Sequence, residues 1–143
     1  MTACIFCAIA RGETERSVVH EDDDLLVVMD LHPVNPGHAL VLPKPHARRL
    51  ADLDDSAVGG LFVAAVRTAA ALRESDIRCD GVNLFVADGE AAGQDVDHVH
   101  VHVVPRFEGD PFRIERDGGW EERPRAELDD DARSLRAAWG AAG

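Results

Sequence analysis

The apolar positions change period along the chain, and each change marks an element. Cys4 to Arg11 reads as a short helix closed by Gly12. Val18–His20 and Leu25–Leu31 are short runs of β-forming and aliphatic residues on either side of the acidic stretch Glu21–Asp24, which predicts a hairpin. Pro33, Asn35, Pro36 and Gly37 predict a turn, followed by a third strand over His38–Leu42 that Pro43 and Pro45 end. Between Asp54 and Glu74 the residues Val58, Leu61, Phe62, Ala65, Val66, Ala69 and Leu72 recur at three and four, the spacing of a helix lying on a sheet. Gly81–Ala87 predicts a fourth strand and Gly89–Gly93 a loop, and the run H-V-H-V-H-V-V-P-R from 98 to 106 supplies the fifth strand. No period is evident from Pro105 to Pro124, which predicts a loop, and Leu128, Ala132, Leu135 and Trp139 then form the stripe of a C-terminal helix. Strands joined mostly by short turns, with two segregated helices, predict an α+β fold: an antiparallel five-stranded sheet, one long helix and a C-terminal helix, in one domain over residues 1–143.

The formal net charge of −12 argues against a nucleic-acid coat or an anionic-membrane binder, because both need a basic face. Lys44 is the sole lysine, so a phosphate ligand would be met mostly by histidines, backbone N–H groups and a few arginines. No basic segment precedes an apolar stretch at the N-terminus, and the most apolar helical window, Ala57–Val66, is interrupted by Gly59 and Gly60. A soluble cytoplasmic protein is expected. Three cysteines, two of them spaced C-x-x-C, make no disulfide framework and suit a reducing compartment.

His98, His100 and His102 alternate with Val99, Val101 and Val103. Successive side chains of a strand point to opposite faces, so the three imidazoles share one face while the valines enter a core on the other. Imidazole is neutral enough near pH 7 to attack and can charge to hold an anion. One metal held by all three is disfavoured, because i and i+4 of a strand stand about 13 Å apart. Cys4 and Cys7 are open to two readings, a pair of ordinary thiols on a short helix or part of a metal site.

These residues resemble the histidine triad (HIT) superfamily, whose signature is His-x-His-x-His followed by apolar residues. The likeness extends to C-I-F-C at 4–7, P-V-N-P-G-H-A-L-V-L-P-K-P-H at 33–46 and G-E-A-A-G-Q at 89–94, in the family's order and spacing. It covers about Cys4 to Arg106. The all-histidine triad is similar to the Hint and Fhit hydrolase branches, whereas the galactose-1-phosphate uridylyltransferase branch carries glutamine where His102 stands. The resemblance implies a homodimeric hydrolase that acts at the α-phosphorus of a nucleotide. It implies His100 as nucleophile, His102 as donor to the phosphate oxygens and His38 as the fourth active-site histidine. Asp30 matches the ribose-binding carboxylate, and Ile5, Phe6 and Leu31 match apolar positions lining the base pocket. Gln94 matches a residue that supports the loop or contacts the phosphate.

The same resemblance implies a structural zinc on Cys4, Cys7, His46 and His98, as in zinc-containing bacterial members, and His20 and His32 match nothing in it. The implied substrate is a purine nucleotide: a phosphoramidate, an adenylate or a dinucleoside polyphosphate, cleaved to a monophosphate such as AMP. Two alternatives stay open, a phosphorylase or nucleotidyltransferase and a nucleotide- or zinc-binding module without turnover. Two positions depart from the family pattern. Asp95 replaces the serine or threonine that bonds the phosphate, and Ala87 replaces an Asn or Gln before the loop glycine. A carboxylate beside a phosphate repels it unless protonated, turned away or paired with a cation.

Overall fold

The computed structural model describes residues 3–141, which fall into two compact units, one ending at Phe112 and one beginning at Arg113. The first contains α1 (Ile5–Ala10), β1 (Val18–Glu21), β2 (Leu25–Met29), β3 (Ala39–Pro43), α2 (Asp55–Glu74), β4 (Gly81–Phe85) and β5 (Val101–Arg106). The five strands form one antiparallel sheet in the order β1-β2-β3-β5-β4. The second unit contains α3 (Arg125–Trp139), none of whose residues is buried; Leu135 and Trp139, in its apolar stripe, stand 70% and 82% exposed.

The alternation in each strand divides its side chains between two cores. On one face Leu25, Val27, Val41, Val99, Val101 and Val103 pack with Leu61, Ala65, Ala69 and Leu72 of α2. On the other, Leu26, Val28, Leu40 and Leu42 pack with Phe6 and Ala10 of α1. The sheet is therefore a filling between two helical layers, and the histidines lie on the α1 side. Asp54 starts α2 by accepting the Ala57 amide at 2.8 Å, the bond of an N-cap. Among the described residues α2 alone has the length and apolarity to cross a membrane, and its Leu61, Ala65, Ala69 and Leu72 are buried on the sheet.

The fifth strand departs most from its expected extent, while β2 ends at Met29 instead of Leu31 and β4 at Phe85 instead of Ala87. The histidine strand begins only at Val101, so His98 and His100 precede the ladder. The Val99 amide donates to Ala47 O at 2.8 Å and the His98 amide to Val96 O at 2.8 Å, which uses their backbone outside the β3 pairing. The alternation nevertheless persists through this stretch, since Val99 and Val101 are 2% and 0% exposed on the α2 side.

A buried polar latch ties the turn before His38 to the end of β5. Asp110, 1% exposed, accepts two bonds from the Arg106 guanidinium at 2.6 and 2.7 Å and one from Asn35 Nδ2 at 2.9 Å. Asn35 Nδ2 also donates to Pro105 O at 3.0 Å, and Arg106 reaches Asn83 Oδ1 on β4 at 2.6 Å. The guanidinium holds the Asp110 carboxyl far below the usual carboxylate range. Gly37, between Asn35 and His38, has φ +96°, and a Cβ there would lie 2.8 Å from Ile77 Cγ2. A side chain at this step would carry both backbone strain of about 1–3 kcal/mol and a steric collision. The position of His38 thus depends on a glycine and a buried ion pair.

Candidate functional site

Hydrogen bonds fix the tautomers of His38, His98, His100 and His102 on the α1 face, and the tautomers define what each ring can do. His100 Nδ1 lies 2.8 Å from His98 O, and a carbonyl can only accept, so Nδ1 carries the proton. The neutral ring then has its lone pair at Nε2. His38 is fixed from the opposite direction: the Val34 amide donates to its Nδ1 at 3.0 Å, so its proton is on Nε2. That Nε2–H donates to His102 Nδ1 at 2.9 Å and leaves His102 with its own proton on Nε2. A bare nitrogen on His100 and an N–H donor on His102 therefore stand side by side, with ring centroids 4.9 Å apart.

Burial keeps the donor ring neutral. Its enclosure, reinforced by the neighbouring His100 and His38 rings, lowers the His102 pKa to about 4. Burial likewise moves His38 below its ordinary value, against the opposing pull of Asp30. Phe6 meets the edge of His100 at 4.9 Å between centroids, and Phe85 stacks on His102 at 4.3 Å and 15°. Strand pairing puts Phe85 there, because Phe85 and Leu40 are both register partners of His102.

Asp30, at the end of β2, puts Oδ2 3.5 Å from His38 Nε2 while Oδ1 accepts the His32 amide at 2.8 Å. Asp30, His38 and His102 are close enough to suggest a metal site. The tautomers oppose it. With Val34 N–H on Nδ1, a metal on His38 Nε2 would need an imidazolate, whereas metal-bound histidines ordinarily donate from the other nitrogen. This group is a proton-fixed relay.

Ile5 and Leu31 are 50% and 82% exposed, so they present apolar surface to solvent, whereas Phe6 is buried. Both ends of the Gln94 amide are hydrogen-bonded within the protein. Its Oε1 accepts from the Gly89 amide at 2.8 Å and Arg49 Nη1 at 3.0 Å, and its Nε2 donates to Arg48 O and Val96 O at 2.9 and 3.0 Å. All the bonding capacity of the amide is engaged within the loop and its neighbours. Asp95, one residue on, directs Oδ1 to 3.6 Å from His100 Nε2. His20 and His32 are exposed, as their lack of a match suggested.

Cys4, Cys7, His46 and His98 come together at the edge of this face. Cys4 caps α1, Cys7 follows within its first turn, His46 lies in the loop after β3, and His98 precedes β5. His98 Nε2 donates to Pro43 O at 2.8 Å, so its Nδ1 is bare and faces Cys4 Sγ and Cys7 Sγ at 3.5 and 3.6 Å. His46 Nδ1 lies 3.3 Å from Cys7 Sγ. Zinc bonds of about 2.3 Å to sulfur and 2.0–2.1 Å to nitrogen at the tetrahedral angle would separate S and N by about 3.6 Å. The donor set and its spacing therefore fit a tetrahedral metal, with Pro43 O as the outer partner of His98. Burial and the adjacent Cys4 sulfur push the Cys7 thiol up, so a cation is what would hold Cys7 as a thiolate.

A cavity of about 690 Å³ opens on the other face of the sheet, between α2 and the β1–β2 hairpin, and contains none of these groups. The chemistry lies on the α1 face.

The HIT domain family model matches residues 11–109. The chain belongs to the HIT family. An uncharacterised HIT-like protein of Methanocaldococcus jannaschii is 40% identical over 107 residues, which cover 75% of this chain and 81% of that protein. A zinc-bound histidine triad protein from Mycobacterium smegmatis superposes with a TM-score of 0.75 at 37% identity, covering 99% of this chain and 98% of that one. The family also includes an Arabidopsis thaliana protein named an adenylylsulfatase, 36% identical over 107 residues, 75% of this chain and 54% of that protein.

Phe85, Val34 and Pro43 are the participants that sequence reasoning missed. Phe85 carries only the signal that it lies in a strand register opposite His102. Val34 and Pro43 act through backbone atoms and leave no trace in side-chain chemistry.

Proposed function

We propose that this HIT protein hydrolyses a nucleotide derivative at its α-phosphorus through a nucleotidyl-histidine and releases a nucleoside monophosphate such as AMP. The observation that carries the reading is the pairing of a bare His100 Nε2 with a His102 Nε2–H on the adjacent ring. His100 Nε2 attacks phosphorus, the P–N or P–O bond to the leaving group breaks, and the leaving group takes the electron pair and a proton from solvent. Water then attacks the phosphorus and returns one proton to solvent, the P–N bond to His100 breaks, and His100 regains its lone pair. For a phosphoramidate the sum is amine-linked AMP plus water giving AMP and the free amine. His102 Nε2–H stabilises the charge that grows on the phosphate oxygens. Asp30 is proposed to accept the ribose hydroxyls, with Ile5, Phe6 and Leu31 against a purine base. The Arabidopsis adenylylsulfatase supports hydrolysis at an adenylyl phosphorus.

The test is to incubate the protein with labelled adenosine phosphoramidate, acyl adenylate and dinucleoside polyphosphate, quench in alkali and weigh the protein. Monophosphate release with a nucleotidyl mass on the peptide holding His100 is expected. Binding without turnover of any of them would leave a non-catalytic module. Turnover only when phosphate replaces water would make it a phosphorylase.

Zinc is proposed on Cys4, Cys7, His46 and His98, supported by the spacing of the four donors and the zinc-bound mycobacterial structure. There it would anchor α1 and the loop after β3 to the segment carrying His100. The purified protein is expected to hold about one zinc per chain and to melt at a lower temperature after chelation. Less than about a tenth of an equivalent after growth in zinc, with melting unchanged by chelator, would refute the site.

The functional form is proposed to be a homodimer. Phe62, Val63 and Val66 of α2 are exposed at 38%, 51% and 59%, and β4 is an edge strand with a free row of backbone groups. Light scattering at tens of micromolar is expected to return twice the 15.5 kDa chain mass. A single-chain mass there would count against it.

A further inference from the structure

Asp95 occupies the space in which the reacting phosphate must sit. In-line attack needs phosphorus about 3–3.5 Å from the nucleophilic nitrogen. Asp95 Oδ1 is already 3.6 Å from His100 Nε2. An anionic carboxylate thus fills the position of an anionic phosphoryl oxygen. The side chain is 79% exposed, so it can swing aside. Its backbone is held, because Gln94 braces the loop on one side and Asp97 pairs with Arg48 and Arg49 at 2.6 and 2.9 Å on the other.

Among the described residues, the arginines of the neighbouring loop are already paired, Arg48 and Arg49 with Asp97 at 2.6 and 2.9 Å, and Lys44 is paired with Glu21 at 2.9 Å. A second carboxylate, Asp30, faces the relay 3.5 Å from His38. The rings that would bind phosphate are neutral in the relay. A substrate with a polyphosphate leaving group adds negative charge to an already negative site. One whose leaving group carries an ammonium brings the counter-charge that the displaced carboxylate can pair with.

We propose that Asp95 is a specificity-determining residue that closes the phosphate position against polyanions and selects substrates whose leaving group is cationic, such as an amine or acyl group bearing a free ammonium. This rests on the hydrolytic reading above. It makes the substrate itself the source of positive charge beside a carboxylate whose neighbouring arginines, Arg48 and Arg49, are paired with Asp97.

The test uses two adenosine phosphoramidates that differ only at the tip of the leaving amine, ammonium in one and a neutral hydroxyl in the other, with a dinucleoside polyphosphate as third substrate. Wild-type kcat/KM is expected to favour the ammonium compound over its neutral twin by about 10-fold, the effect of one charge several ångströms away in a partly screened site, and the preference shrinks as salt rises. Asp95→Asn, nearly isosteric, is expected to bring the ratio within about 2-fold and to raise kcat/KM for the polyphosphate, chiefly by lowering KM. Asp95→Glu keeps the charge and is expected to keep the preference. Turnover of both phosphoramidates with the same ratio in wild type and Asp95→Asn overturns the role of Asp95 and leaves the hydrolytic reading standing. Turnover of none of the three by wild type overturns the hydrolytic reading and the specificity proposal with it.

Discussion

His100→Ala is expected to lower hydrolysis of an adenosine phosphoramidate on the order of 10³-fold or more, and to abolish the nucleotidyl adduct. The size follows from what is removed. His100 donates Nδ1–H to His98 O at 2.8 Å, which aims the ring and assigns the lone pair to Nε2. Alanine deletes the nucleophile, and no neighbour can replace it. His102 presents a proton instead of a lone pair, and His38 has its Nδ1 covered by the Val34 amide and its Nε2–H committed to His102. Neither ring can attack without reversing its tautomer and breaking a buried hydrogen bond. The loss should fall on kcat, since the base and ribose contacts proposed for Ile5, Phe6 and Asp30 are untouched. Zinc content should not change, because the donors are Cys4, Cys7, His46 and His98. Near-wild-type turnover, or an adduct mapped to a different side chain, would defeat the mechanism.

How much of this was legible in the sequence depends on whether the information is local. The division of His98, His100 and His102 from Val99, Val101 and Val103 follows from the period of two, and it survives even where the ladder has not yet begun. The long helix was legible too, though its seven apolar residues at three and four fix the buried side only in part: Leu61, Ala65, Ala69 and Leu72 meet the sheet, whereas Phe62 and Val66 are exposed. The start of β5 was not. It is set by Ala47 O and Val96 O drawing off the Val99 and His98 amides, contacts made by distant or irregular backbone. The ring tautomers were also beyond reach, since they are imposed by Val34 N–H and by the carbonyls of Pro43 and His98, atoms that every residue type shares. Gln94 shows the same limit: its place in G-E-A-A-G-Q is compatible with contacting phosphate or bracing the loop, and its four simultaneous bonds to the loop and its neighbours could not be read from the sequence. The Asp110 latch lay in a stretch without periodicity, where one buried carboxylate looks like any surface aspartate.

His102→Ala is expected to cost about 10²-fold in kcat, less than the loss at His100, because it removes one charge-stabilising donor and leaves attack possible. The same substitution leaves His38 Nε2–H without its 2.9 Å acceptor, with the Asp30 carboxylate 3.5 Å away as the alternative. A pH signature separates this ring from a merely structural one. His102 has an ordinary pKa of 6.5 in the unfolded chain and about 4 in the fold, where burial excludes the charged form. Between those values the unfolded chain binds a proton that the folded chain does not, so stability falls as pH drops from 6.5 towards 4 and is fully retained above that window. His102→Ala is expected to flatten part of that slope, with His38, also shifted down by burial, contributing to what remains. Denaturant titrations of both proteins at several pH values read the slope directly. His102→Asn keeps a hydrogen-bond donor and an acceptor without a titrating ring; it should restore part of kcat while leaving the slope as flat as in the alanine variant. An unchanged slope in both variants would mean that His102 does not titrate low in the fold, and equal losses of kcat in both would mean that it does not donate from Nε2 to the phosphate oxygens.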